Sequence, residues 1–208
     1  MKTKAQILQK ALLLFNEKGY INVGVREIAR DLDISPGNLS YHFGKKEDIL
    51  IALLNQFRDA NSSLYEEYFE KDATLSHFLQ LMKSIFESQY QYRGVFIGNQ
   101  YIQSELKSAD SFNYKETYNN RVAGFTRIFK TLIEAGQIQS TDEDIAFLVS
   151  LLTLIGRFWI QEATLFNHSP DKETTILYYI TLLSKQLSLF ATQTGLDSIE
   201  QFKNNTGN

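Results

Sequence analysis

The stretch "SPGNLSYHFGKK", residues 35–46, gathers side chains whose chemistry is recognition rather than bond making. The amide of Asn38 can donate and accept at once, as the edge of a nucleic-acid base requires. Tyr41 and His42 can hydrogen-bond phosphate oxygens, and Lys45 and Lys46 place positive charge just beyond them. Gly37 costs a helix roughly 1 kcal/mol against Ala, and in return its bare backbone can approach a base or a phosphate. Each residue taken singly has a plainer reading. Pro36–Gly37 could be a turn, Tyr41 a core aromatic, His42 a surface histidine, and Lys45–Lys46 a solvated pair. Together, at fixed spacing between two helical patterns, they favour a contact surface.

Bond-making chemistry has little support elsewhere in the chain. There is no cysteine, so neither a disulfide framework nor a thiolate metal site is possible. The histidines are His42, His77 and His168, and three residues before them stand Leu39, Thr74 and Leu165. None fits the Glu-x-x-His ligand pair of a carboxylate-bridged di-iron bundle. A Gly-x-Ser-x-Gly nucleophile motif is also absent. No enzyme activity, metal or cofactor is expected.

The elements that must position residues 35–46 are short. Val25, Ile28, Ala29 and Leu32 mark one face of a helix, and Asp33, Ile34 and Ser35 form a tight connection. Pro36–Phe43 is the next helix: Ser35 can cap it, Pro36 suits its first turn, and Leu39 and Phe43 anchor it. Ala29 is small, as a close crossing of two helices requires. An earlier helix over residues 4–18 carries Ile7, Ala11, Leu14 and Phe15 inward and stops at Gly19. Three helices in this order predict a helix-turn-helix head, with the start of the last helix aimed at a DNA major groove.

A fourth helix starts at Lys45 and runs to about Glu70, with Ile49, Leu50, Leu53, Leu54 and Phe57 inward. The pattern stays helical through about 73–90, 94–107, 113–135, 142–166 and 171–193. Thr141 or Asp142 can cap one of these, and Ser169–Pro170–Asp171 starts another. The expected fold is all-α, with about nine helices. Residues 1–47 form the head, 48–194 a helical-bundle body, and 195–208 a polar, frayed tail.

Composition agrees with this. The chain has 208 residues, 43% hydrophobic and 22% charged, as an ordinary globular protein has, and only two prolines interrupt its helices. The net charge is −3, yet residues 1–50 hold eight Lys or Arg against six Asp or Glu, a net +2 on an acidic body. A basic end suits DNA. The start, "MKTKAQILQKALLLF", fails as a leader because Gln9 and Lys10 interrupt its apolar run. No stretch reaches the ~18 apolar residues of a membrane span. A cytoplasmic protein is expected, with no membrane partner.

Residues 7–50 resemble the N-terminal DNA-binding domain of TetR-family transcriptional regulators. The marks are "LFNEKGY", "VREIARDLDIS", "GNLSYHF" and "KKEDIL", in order and with matching gaps. The resemblance implies a homodimer gripping two half-sites of double-stranded operator DNA. It also implies a divergent body that binds a small-molecule effector and dimerises through its last two long helices. Residue by residue, the DNA-contacting set is Arg26, Pro36, Gly37, Asn38, Ser40, Tyr41, His42, Lys45 and Lys46. Two positions depart from the family: Gly24 stands where a Thr or Ser hydroxyl often meets phosphate, and Ser40 where Tyr is common.

In the body, aromatics recur at helical spacing. Phe78, Met82, Phe86 and Tyr90 share a stripe, and Phe96, Tyr101, Phe125, Phe129, Phe158 and Trp159 add to them. Core packing accounts for any one of these. As a set they are candidates for an apolar effector pocket, with Gln100, Arg157 or Gln161 as polar handles. The helices over 142–166 and 171–193 are apolar on more than one side, as a helix buried on both sides must be. Leu151, Leu154 and Ile155, with Ile176, Tyr179, Ile180, Leu183 and Leu187, are the candidate dimer interface. The leading expectation is a ligand-controlled, sequence-specific DNA-binding regulator that represses. The alternatives are a helical partner or scaffold protein and, less supported, a helical-bundle enzyme.

Overall fold

The computed structural model describes residues 3–96, 114–166 and 171–206. Among them are ten α-helices and one 3-10 turn, with no strand beyond an isolated bridge between Ile138 and Ala191. The chain divides into two compact units, one of residues 1–60 with 88–113 and one of 61–87 with 114–208.

The first unit begins with α1 (Lys4–Lys18). Thr3 accepts from the Gln6 N–H, and the Gln6 side chain accepts from the Thr3 N–H, a reciprocal cap of two orphan donors. Gly19 ends the helix at φ 80°, a conformation that suits glycine. A 3-10 turn (Tyr20–Asn22) leads to α2 (Val25–Asp31), then α3 (Pro36–His42) and the start of α4 (Lys46–Phe69). Ile7, Ala11, Phe15, Ile28, Leu39 and Ile49 are fully buried between these helices.

A short helix, α6 (Arg93–Phe96), belongs to the same unit. One side chain fixes it: Asn16 donates to the Gln91 carbonyl at 2.7 Å and accepts from the Gly94 N–H at 2.8 Å. A Cβ on Gly94 would lie 2.1 Å from the Phe15 carbonyl, so only glycine fits this backbone-to-backbone approach.

The second unit contains the rest of α4 and most of α5 (Leu75–Gln91), with α7 (Tyr114–Glu134) and α8 (Asp142–Phe166). It ends with α9 (Lys172–Ser188) and α10 (Gln193–Thr206). Thr141 and Asp144 cap α8 reciprocally, and Asp171 caps α9 by accepting from Thr174. Of the helix expected over 94–107, only its first residues are described. Ser169, Pro170 and His168 lie outside the described residues.

The tail expected to fray from residue 195 is a helix instead. Ile199 and Phe202 bury one stripe of α10, with Gly195 and Ser198 beside them. Ser198 accepts from the Ser76 N–H at 2.8 Å and Gln137 from the Leu75 N–H at 3.0 Å, so distant elements cap the start of α5. The polar composition of the segment hid a short apolar stripe at helical spacing. No helix of the described residues is long and apolar enough to cross a membrane.

Candidate nucleic-acid interface

Two local devices aim α3. The first closes α2: the Asp33 N–H donates to Arg30 and the Ile34 N–H to Ala29, both at 3.0 Å, with Asp33 left-handed at φ 56°. This paired arrangement satisfies the last carbonyls of α2 and usually takes glycine at its left-handed position. Asp tolerates that conformation better than most residues. The second device opens α3: Ser35 accepts from the Asn38 N–H at 3.1 Å, and Pro36 occupies the first turn. Leu39 and Phe43 then point into the head's core.

The outward face carries the residues named from the sequence. Tyr41 is 80% exposed, an unusual position for a large aromatic. Pro36, Gly37 and Ser40 are exposed, and Asn38 and His42 are half-buried one turn apart. The Asn38 Oδ1 and His42 Nε2 atoms are enclosed and lack a hydrogen-bond partner among the described residues. Turning either side chain outward therefore sacrifices no protein hydrogen bond through those atoms. Gly37 has no internal reason to be glycine. Its φ is not left-handed, and an added Cβ would find Ser35 Oγ no nearer than 3.9 Å.

Around α3, the charges divide. Lys18 donates to Glu27 at 2.7 Å, tying α1 to α2, and holds that carboxyl below its usual range. Arg30 lies near Glu27 and Asp31. Arg26 and Lys45 are exposed and have no ion pair among the described residues. Lys46 is different: its ammonium donates to the Tyr20 carbonyl at 3.0 Å and lies 4.1 Å from the Tyr20 ring centroid. Gly24 begins α2 with no side-chain cap and open space around it. Asn16, Lys18 and Glu27 carried no distinctive sequence signal, because only the fold brings their partners near.

The candidate pocket residues are placed unevenly. Phe78, Met82, Phe86, Phe125, Phe129 and Trp159 are buried in the second unit. Phe78 sits 6.4 Å from Phe125 and 5.6 Å from Phe129, ring to ring, and Phe86 stacks on Trp159 at 4.9 Å. Trp159 also meets Tyr179, whose hydroxyl donates to Glu162 and is held in its protonated form chiefly by burial. These rings pack on one another. Phe158 is instead half in solvent. Tyr90 belongs to the first unit, under the Arg93 guanidinium. The Phe96 side chain, Tyr101 and Gln100 lie outside the described residues.

The candidate dimer residues need correction. Ile176, Tyr179, Ile180, Leu183 and Leu187 are buried within the second unit itself, so a partner chain cannot reach them without repacking the core. Leu151 and Ile155 are half-buried, and Leu154 is 57% exposed. Both helices are apolar around most of their circumference, and the more regular stripe faces inward. The exposed stripe is the complement: Phe147, Leu154, Phe158 and Leu165 on α8, Tyr178 and Leu182 on α9, and Leu189 just after it.

A helix-turn-helix head with an open polar face, followed by described residues that are mostly helical, defines a DNA-binding regulator. Residues 7–53 match the family described as bacterial regulatory proteins, tetR family, and residues 56–194 match that described as bacterial transcriptional repressor. The chain belongs to the TetR family of bacterial transcriptional regulators. It is 28% identical over 142 residues, 67% of each chain, to the probable HTH-type transcriptional regulator YttP of Bacillus subtilis (strain 168). It is 29% identical over 119 residues to the HTH-type transcriptional repressor KstR2 of Mycobacterium tuberculosis, covering 57% of this chain and 60% of that one. A TetR-family regulator from Marinobacter aquaeolei VT8 superposes with a TM-score of 0.80 at 26% identity, covering 99% of both chains. The solved KstR2 structure, at 19% identity and a TM-score of 0.71 over 91% of this chain and 95% of that one, shares the fold.

Proposed function

We propose that this regulator is a homodimeric repressor whose hold on operator DNA is set by a small, largely apolar effector bound in its body. The outward face of α3 supports the DNA reading: an exposed Tyr41, a Gly37 that nothing among the described residues requires, and Asn38 and His42 atoms without partners among those residues. In this reading Asn38 and Ser40 meet base edges, and Gly37 and Pro36 let the helix start come close. Tyr41, His42, Arg26 and Lys45 meet phosphates.

The exposed apolar stripe of α8 and α9 supports dimerisation, since a single chain leaves these large side chains in water. Two heads then read half-sites about 34–36 Å apart. An effector that binds better to a dimer with another head spacing releases DNA to the extent of its preference between the two states. The aromatic richness of the second unit supports an apolar effector.

The test uses a duplex that the wild-type protein enriches from a random-sequence pool. Fluorescence anisotropy with rising salt and random competitor should give a steep salt dependence and strong preference for the enriched duplex. Equal affinity for every sequence would sink the specific-regulator reading.

A further inference from the structure

Within the second unit, two guanidinium groups and a phenol gather beside its aromatic core. Arg121, on α7, is half-buried and has no hydrogen bond or ion pair among the described residues. Tyr118 stands one turn before it on the helix, and Gly124 and Phe125 one turn after, so the four share a face. Its neighbours on that face each meet another helix. The Phe125 ring lies 5.9 Å from the Tyr65 ring of α4, and a Cβ on Gly124 would stand 3.9 Å from that same ring. The Tyr118 ring lies 5.6 Å from the guanidinium of Arg157, on α8. The Tyr65 hydroxyl makes no hydrogen bond among the described residues. Burial pushes it up to about 12, and the positive charge of Arg121 acts against that shift. Behind this cluster the rings continue: Phe125 meets Phe78 at 6.4 Å, and Phe78 meets Phe129 at 5.6 Å.

A half-buried cation without a counter-ion is costly, and an anion brought in beside it would offset that cost. We propose that the ligand of the body is an anionic amphiphile, a single carboxylate or phosphate head on an apolar tail, with Arg121 as its anchor and Arg157 and the Tyr65 hydroxyl beside it. A guanidinium meets an oxyanion through two parallel hydrogen bonds, which a neutral or cationic head cannot accept. The neighbouring rings take the apolar tail. The inference rests on the reading of the body as an effector-binding unit and names the chemistry of that effector.

The test titrates the full-length protein, without DNA, with decanoate, decyl phosphate, decanol and decyltrimethylammonium, each below its micelle concentration. Binding is read by calorimetry and by the fluorescence of Trp159, the single tryptophan. At least one of the two anions should bind about tenfold or more tightly than decanol, and the tighter of the two identifies the head. Arg121→Gln should weaken that anion about ten- to a hundredfold and leave decanol unchanged. Arg127→Gln, an exposed position of the same helix where the guanidinium lies over Phe69, should alter neither. Binding of neither anion, decanol or the cation binding as tightly as the better anion, or an anion affinity that survives Arg121→Gln overturns the proposal. If Arg121→Gln does not fold, Arg121→Lys keeps the charge and loses the fork. It should weaken the anion and spare decanol, and an equal effect on both overturns the proposal. An anion that binds through Arg121 yet leaves the affinity for the enriched duplex unchanged would uphold the site and count against effector control of DNA instead.

Discussion

Gly37 separates stability from function more cleanly than any other residue of the head. An added methyl at 37 meets nothing closer than 3.9 Å, so Gly37→Ala should stabilise the protein by up to about 1 kcal/mol. In the proposed interface the same methyl stands in the path of DNA, so affinity for the enriched duplex should fall. Thermal denaturation and anisotropy on one preparation check both signs. Asn38→Ala should leave the melting temperature nearly unchanged and cost about 1–3 kcal/mol of discrimination at one base pair, read by competition between single-base variants of the duplex. Gly24→Ser supplies the missing cap of α2. A gain of a few tenths of a kcal/mol in stability is expected, with tighter DNA binding through the new hydroxyl. Much at this scale was legible: Ser35, Pro36, Leu39 and Phe43 announced a short capped helix, and the structure bears that out. The contact of Lys46 with Tyr20 was not legible, because a lysine beside a lysine carries no mark of the ring that the fold places beneath it.

At the scale of elements, the turn between α2 and α3 depends on Asp33 holding a left-handed backbone. Asp33→Val puts a β-branched side chain there and should cost about 1–2 kcal/mol, measured by chemical denaturation. The C-terminal helix offers a sharper case. Gly195 lies against the Gln137 carbonyl, and a Cβ there would come within 2.0 Å of its oxygen. Gly195→Ala should therefore destabilise the body by about 1–3 kcal/mol, a change visible in the thermal melt. Sequence periodicity placed the longer helices well, since their apolar stripes repeat over several turns. It missed α10 because polar residues outnumber Ile199 and Phe202, and two buried side chains make a faint pattern. The partners that cap α5, Gln137 and Ser198, are 62 and 122 residues away from their donors, beyond any local signal.

At the scale of the whole molecule, the all-helical regulator fold was readable from the head's ordered motifs and from the absence of alternating strands. Which face of α8 and α9 turns outward was not readable. Two helices apolar on most sides do not reveal in sequence which stripe the chain keeps for its own core. Leu154→Lys combined with Leu182→Lys places charge on the exposed stripe and spares the buried one. Light scattering should then report a monomer where the parent chain is a dimer, and affinity for a two-half-site duplex should collapse, with that for a single half-site little changed. The exposed stripe also ties the switch to supply. In the proposed dimeric mechanism, a chain that pairs before it grips two half-sites loses operator occupancy with the square of its abundance once dimers begin to dissociate. Copy number in the cell thus becomes a second input beside the effector, and a modest change in synthesis or turnover would move the threshold at which the regulated genes open.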